Sequence, residues 1–331
     1  MRRRLCGAAI CGLMLAAPWT ASGDGLPVEG VDAGATGVAR AGAAERYVTL
    51  PAGRGRTVVA RIASDGGQVL QSTTLHGRFT IPAVALDGSA SGLSADGSTL
   101  TLIRPRAGFP QRRTKLVLLD GERLRLHSAV TLRGDFSFDA VSPDGRSVYL
   151  IQYRSRRDPT RYAVRVYDTT APRLLRKPIV DPREPDERMR GLPITRATSA
   201  DGRWAYTLYD GAGGHPFVHA LDTVARTAAC IDLDALAGAR HLSQLRLGLA
   251  GRELRVLDGT DAVATIDRTT FRVGEPDAAA RPRPAPARAA SGGDGAPWTL
   301  LASVAVALLL AVGAALGMRS HEDRRRRSPA A

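Results

Sequence analysis

The sequence predicts an all-β fold for residues 45–275, a β-propeller of about five four-stranded blades, and three observations carry that expectation. A turn-and-strand signature recurs as SADGSTLTLI at 94–103, SPDGRSVYLI at 142–151, SADGRWAYTL at 199–208 and, in degenerate form, GLAGRELRVL at 248–257. Each copy is followed by an apolar strand ending in aspartate: KLVLLD at 115–120, YAVRVYD at 162–168, FVHALD at 217–222 and AVATID at 262–267. Helical periodicity is nearly absent between 45 and 275, where 231–240 is the best short helical candidate.

The chemistry of the repeat explains its form. Asp-Gly is a tight-turn pair, because glycine takes positive φ freely and aspartate bonds its own backbone. Alternating apolar residues after the turn make a half-buried strand. The turn glycines Gly97, Gly145, Gly202 and Gly251 are spaced by 48, 57 and 49 residues. A period near 40 to 50 residues with four short strands marks a propeller blade. The expected units are 45–75, 76–131, 132–180, 190–232 and 241–275, the first lacking an obvious innermost strand. Two β-sandwich domains are the rival fold, but they do not call for turn, strand, strand and aspartate in phase.

The segments outside the repeats read as addresses. Arg2, Arg3 and Arg4 precede a short apolar run and the small residues Ala21, Ser22 and Gly23, so 1–23 is expected to be a secretory signal peptide. Residues 24–44 are then a mature N-terminal segment, and 276–297, rich in Pro, Ala and Gly, is an extended linker. The stretch WTLLASVAVALLLAVGAALGM at 298–318 carries no charge over 21 residues, enough for one transmembrane helix. Arg319 and Arg324 to Arg327 in the tail 319–331 predict a cytoplasmic C-terminus and an extracytoplasmic N-terminal domain at the cell membrane.

Composition supports a packed ectodomain. The 331 residues are 44% hydrophobic and 24% charged, which excludes a disordered or collagen-like chain. Of the three cysteines, Cys6 and Cys11 leave with the signal peptide, so Cys230 has no intrachain disulfide partner and reads as a packed thiol on an outer strand. The formal charge of +14 is partly terminal, and only Lys115 and Lys177 are lysines. Basic residues form no stripe with interleaved aromatics, which argues against nucleic acid as a partner.

The repeated S-x-D-G followed by a strand with Tyr or Trp, together with YVTL at 47–50, resembles the bacterial YVTN and TolB-like β-propeller repeat families across roughly 45–275. The chain also resembles uncharacterised membrane-anchored secreted proteins of high-GC actinobacteria. The resemblance implies a propeller and little about activity, because propellers serve both as enzymes and as scaffolds. The last repeat departs from the motif, with Ala250-Gly251 in place of Asp-Gly.

No catalytic residue, metal or cofactor is expected. The turn aspartates Asp96, Asp144 and Asp201 repeat as turn residues do. His215 and His219 have metal-helix spacing, but Pro216 and the strand pattern place them on a strand, where residues four apart lie far from one another. The binding candidates are arginines in two loops expected on one face: Arg104, Arg106, Arg112 and Arg113, then Arg154, Arg156, Arg157 and Arg161. The acidic connection carrying Asp181, Glu184, Asp186 and Glu187 is expected beside them. Guanidinium forks suit carboxylate and phosphate, so an anionic envelope ligand or a protein partner is expected to dock there. The alternative is a lactonase-like or other hydrolytic propeller with a central metal. Asp135 and Asp139 would be its inner-strand acids, although the chain has no asparagine to join them.

Overall fold

A computed structural model describes residues 33–186 and 188–274. Among the described residues eighteen strands run in chain order and form five antiparallel sheets. Sheet 1 holds β1 (Glu45–Ala52), β2 (Arg56–Ala63) and β3 (Val69–His76). Sheet 2 holds β4 (Thr99–Ile103), β5 (Arg113–Asp120) and β6 (Leu126–Arg133). Sheet 3 is β7 (Phe136–Val141), β8 (Ser147–Tyr153), β9 (Tyr162–Asp168) and β10 (Arg173–Leu174). Sheet 4 is β11 (Pro193–Thr198), β12 (Trp204–Tyr209), β13 (Phe217–Asp222) and β14 (Thr227–Asp232). Sheet 5 is β15 (Arg246–Ala250), β16 (Glu253–Asp258), β17 (Asp261–Asp267) and β18 (Val273–Gly274). Sheets 1 and 2 have three strands each, where four were expected. The expected helical stretch 231–240 begins in β14 and holds no helix beyond the 3-10 turn Asp234–Leu236.

The three complete turn signatures close as their residues dictate. In the first, the Ser94 hydroxyl donates to Asp96 at 2.6 Å, Asp96 accepts the Ser98 amide at 2.9 Å, and Gly97 takes φ +78°. The same serine oxygen accepts the Thr99 amide at 2.9 Å, which starts β4. Ser142 and Asp144 repeat this arrangement before β8, and Ser199 and Asp201 before β12. The strand-end aspartates Asp120, Asp168, Asp222 and Asp267 each accept backbone amides of the turn that follows. Both aspartate sets are therefore turn-builders, as their repetition implied.

The core consists of interfaces between consecutive sheets. Strand β5 shows why: Val117 and Leu119 pack with Tyr47 and Val59 of sheet 1, while Leu116 and Leu118 pack with Phe136 and Leu150 of sheet 3. Tyr149 and Val164 of sheet 3 meet Ala205 and Leu221 of sheet 4. On the other face of sheet 4, Val218 and Leu208 meet Leu254 and Ile266 of sheet 5. Tyrosines fasten three of these joints by reaching the residue just after a strand-end aspartate. Tyr47 donates to the Gly121 carbonyl at 2.9 Å and Tyr149 to the Thr223 carbonyl at 2.8 Å, while Arg268 Nε lies 3.3 Å from the Tyr206 hydroxyl.

Non-consecutive sheets also meet. The segment 80–93 leaves sheet 2 as a small hairpin, with Ala83 bridged to Ala90. Its Leu86 amide donates to the Pro193 carbonyl of β11 at 2.9 Å, and Leu86 packs against the cluster shared by sheets 4 and 5. A Cβ on Gly202 would lie 2.7 Å from Ala95 Cβ, so the turns of sheets 2 and 4 touch directly. Five meanders in chain order, stacked face to face, are consistent with a propeller. Among the described residues no helix is long and apolar enough to cross a membrane, and 1–23 and 276–331 lie outside them.

Candidate functional site

At the end of the sheets opposite the Ser-x-Asp-Gly turns, loop 104–112 between β4 and β5 packs beside loop 154–161 between β8 and β9. A row of rings joins them. Phe109 lies 5.4 Å from Tyr153, Tyr153 6.4 Å from Tyr162, Tyr162 5.8 Å from Tyr209, and Tyr209 5.2 Å from Phe217. These rings run from sheet 2 across sheet 3 into sheet 4 and give the loops a rigid apolar floor.

The eight candidate arginines separate into two kinds. Arg104, Arg112, Arg113, Arg154, Arg156, Arg157 and Arg161 are exposed, and none of them forms an ion pair among the described residues. Arg106 is buried, so it does not belong to that surface. Its guanidinium pairs with Asp135 and stacks over Phe109 and Tyr153, 5.6 and 5.1 Å from the ring centres. A guanidinium with that much apolar stem and a carboxylate within reach is more stable paired inside, against the half-buried Phe109, than exposed on the loop.

The acids that a hydrolytic centre would use are engaged in the same way. Asp135 accepts Arg106 and the Gln111 amide, and Asp139 accepts Arg196 from β11 of sheet 4. Both pairs are nearly fully buried, and Arg196 ties the inner strand of sheet 4 to that of sheet 3. Carboxylates held by buried guanidiniums are structural cross-links; they are poorly placed to act as general bases or metal ligands.

Between sheets 3 and 4 the surface opens into a cavity of about 440 Å³. Arg154 and Arg161 of the second arginine loop line it together with Asp181, Glu184 and Asp186 of the acidic connection, whereas no residue of loop 104–112 does. Arg188 and Arg190, which the sequence reading did not single out, join the rim, with Arg190 bridged to Arg161 through their backbones. Asp181 is committed to structure. It accepts Arg183 at 2.5 Å and the Cys230 amide at 2.9 Å, pinning the connection to the outer strand β14. Burial alone would raise its pKa, but these hydrogen bonds outweigh that and hold it below the usual carboxylate value.

The floor of the cavity includes His219 from β13 and its cross-strand partner Cys230 from β14. Cys230 is half-buried and lines this cavity, although the sequence placed it in general packing. His219 is 1% exposed, and its ring meets Tyr209 edge-on with 6.4 Å between centres. Burial pushes its pKa down to about 4, with Asp139 opposing and Arg196 reinforcing the shift, so the ring is neutral at pH 7. His215, its expected partner at metal spacing, lies exposed on the other side of Pro216 and contacts Asp234 at 2.7 Å. The overlooked signal was the aspartate-ending strand itself: the same place holds Val117 in the first copy and Ala264 in the last.

No family model and no curated protein matches the chain. Among solved structures, TolB from Acinetobacter baumannii is similar at 12% identity and TM-score 0.38, over 68% of this chain and 49% of that one. The putative TolB from Agrobacterium tumefaciens is similar at 15% identity and TM-score 0.34, over 69% and 76%. A puromycin-hydrolysing peptidase from Mycobacterium tuberculosis shares 17% identity at TM-score 0.34, over 70% and 38%. The chain thus spans about half the length of the Acinetobacter protein. The fold assignment rests on the strand pairing and sheet stacking above.

Proposed function

We propose that the chain is an extracytoplasmic β-propeller of about five blades, held at the cell membrane by residues 298–318, that binds or scaffolds an anionic envelope ligand or an acidic protein partner. The resemblance of its repeats to the YVTN and anchored actinobacterial proteins belongs to the same reading. The observation that carries it is the set of seven exposed loop arginines without ion pairs among the described residues, gathered at one end of sheets 2 and 3 over an aromatic floor. Planar guanidiniums on a rigid base recognise carboxylate or phosphate through paired hydrogen bonds and give association a salt-dependent rate. The engagement of Asp135 and Asp139 by buried arginines favours binding over hydrolysis.

The test is binding of fluorescein-labelled poly-L-glutamate to membrane vesicles carrying the full chain. Combined Arg112→Ala, Arg113→Ala, Arg156→Ala and Arg157→Ala substitutions are expected to weaken binding at least tenfold at low salt. Equal affinity in wild type and variant would overturn the reading.

A further inference from the structure

We propose that the cavity between sheets 3 and 4 is a second, separate kind of site: a pocket for a small soluble amphiphilic anion, with an apolar body and one phosphate or carboxylate. It rests on the proposed binding role only in sharing the arginine-rich end of the sheets.

Three independent observations point to such a ligand. The cavity measures about 440 Å³, within the range of small-molecule sites and too small for a folded partner. Its walls are apolar: Tyr162 and Val164 from β9, and Ile179 and Met189 from the connection to sheet 4. The rim carries four arginines, Arg154, Arg161, Arg188 and Arg190, none ion-paired among the described residues. Asp181 is already satisfied by Arg183 and the Cys230 amide, and the exposed Glu184 and Asp186, which also line the cavity, offset only two of the four arginine charges.

The floor adds specificity. His219 lines the cavity from β13 while 1% exposed. A neutral imidazole offers one donor and one acceptor, which suits a hydroxyl or amide on the ligand body. The anion then sits at the mouth on Arg161 and Arg190, and the body lies over Tyr162 and Val164. A hydrogen-bonding substituent reaches His219.

The probe is 1-naphthyl phosphate, titrated calorimetrically into the full chain in phosphatidylcholine nanodiscs, with inorganic phosphate as the comparison. Naphthyl phosphate is expected to bind at least tenfold more tightly than inorganic phosphate. Combined Arg161→Ala and Arg190→Ala substitutions are expected to weaken it tenfold or more. Met189→Trp fills the cavity from its half-buried wall and is expected to abolish binding while leaving the melting temperature unchanged. Equal affinity for the two phosphates, or full binding by the Met189→Trp protein, would overturn the proposal. Competition by phosphatidylglycerol discs would overturn it too, by reassigning the cavity to a lipid headgroup.

The two readings fail separately. Poly-L-glutamate binding retained by Met189→Trp alongside no naphthyl phosphate binding by wild type removes the pocket alone. Naphthyl phosphate binding retained in the quadruple loop variant, with its poly-L-glutamate binding also unchanged, removes the broader surface alone.

Discussion

Sheets 4 and 5 come from neighbouring copies of one repeat, yet they are stabilised differently. Both keep the strand-end aspartate and its turn, at Asp222 and Asp267. Sheet 4 is packed on both faces, and every residue of β13 is buried. Sheet 5 packs one face on sheet 4 through Leu254, Val256 and Ile266, and turns Glu253 and Arg255 outward as a half-exposed ion pair. The difference follows the turn motif. Sheet 4 has the full Ser199, Asp201 and Gly202 turn pressed against Ala95 of sheet 2, whereas Gly251 of sheet 5 has nothing within 4 Å of where a Cβ would stand. The signature is complete where its turn must fit against other turns and degenerate where it meets only solvent.

The largest effect expected from this contrast is at the charged pairs. Asp139→Ala strands the Arg196 guanidinium between sheets 3 and 4, both side chains being under 5% exposed, and should cost about 3–5 kcal/mol in chemical unfolding. Glu253→Ala in sheet 5 removes a pair whose side chains are 46% and 47% exposed and should cost less than about 1 kcal/mol. Similar losses from both would show that sheet 4 is not the more enclosed of the two.

Acid should act next, and on sheet 4 alone. His219 takes its proton near pH 6.5 in the unfolded chain and only near pH 4 when folded. Its contribution is complete above pH 6.5 and is lost as pH falls toward 4, about 3 kcal/mol in all. Asp168, lowered to about 2, acts below that window. Urea unfolding at pH 7, 5.5 and 4 should show this slope in wild type and a flatter one in His219→Leu. Sheet 5 carries Ala264 at the matching place and has no such group. An unchanged slope in the variant would contradict the buried neutral imidazole.

The glycines give the smallest contrast. Gly202→Ala combines positive φ with a contact of 2.7 Å to Ala95 and should destabilise by about 2–3 kcal/mol. Gly251→Ala meets only the cost of φ +57° and should lose about 1 kcal/mol. Thermal melts of the two variants rank them directly, and equal shifts would mean the turns of sheets 2 and 4 do not bear on each other.

The strands, their turns and the aspartates that cap them were legible in the sequence, because each depends on residues within a few positions. Ser94, Asp96 and Gly97 close their turn among themselves, and so do their two counterparts. KLVLLD announced a strand, and its unbroken run Leu116 to Leu119 is buried on both faces. The site was only half legible. The two arginine loops and the acidic connection could be placed at one end by strand direction, but Arg106 and Arg154 look alike in sequence. One pairs with Asp135, 29 residues away, and the other stays in water. The hairpin at 80–93, Arg188 and Arg190 carried no repeat signal, and their positions follow from contacts with β11 and Arg161.

The sequence by itself determined which segments are strands, where each meander turns and which aspartates serve those turns. Hydrogen bonds that close within ten residues, and side-chain alternation along a strand, need no distant partner. Only the tertiary structure decided which charges are buried, that His219 faces a cavity, and which arginines remain unpaired. Those outcomes depend on desolvation, and desolvation is set by what another sheet places within a few ångströms.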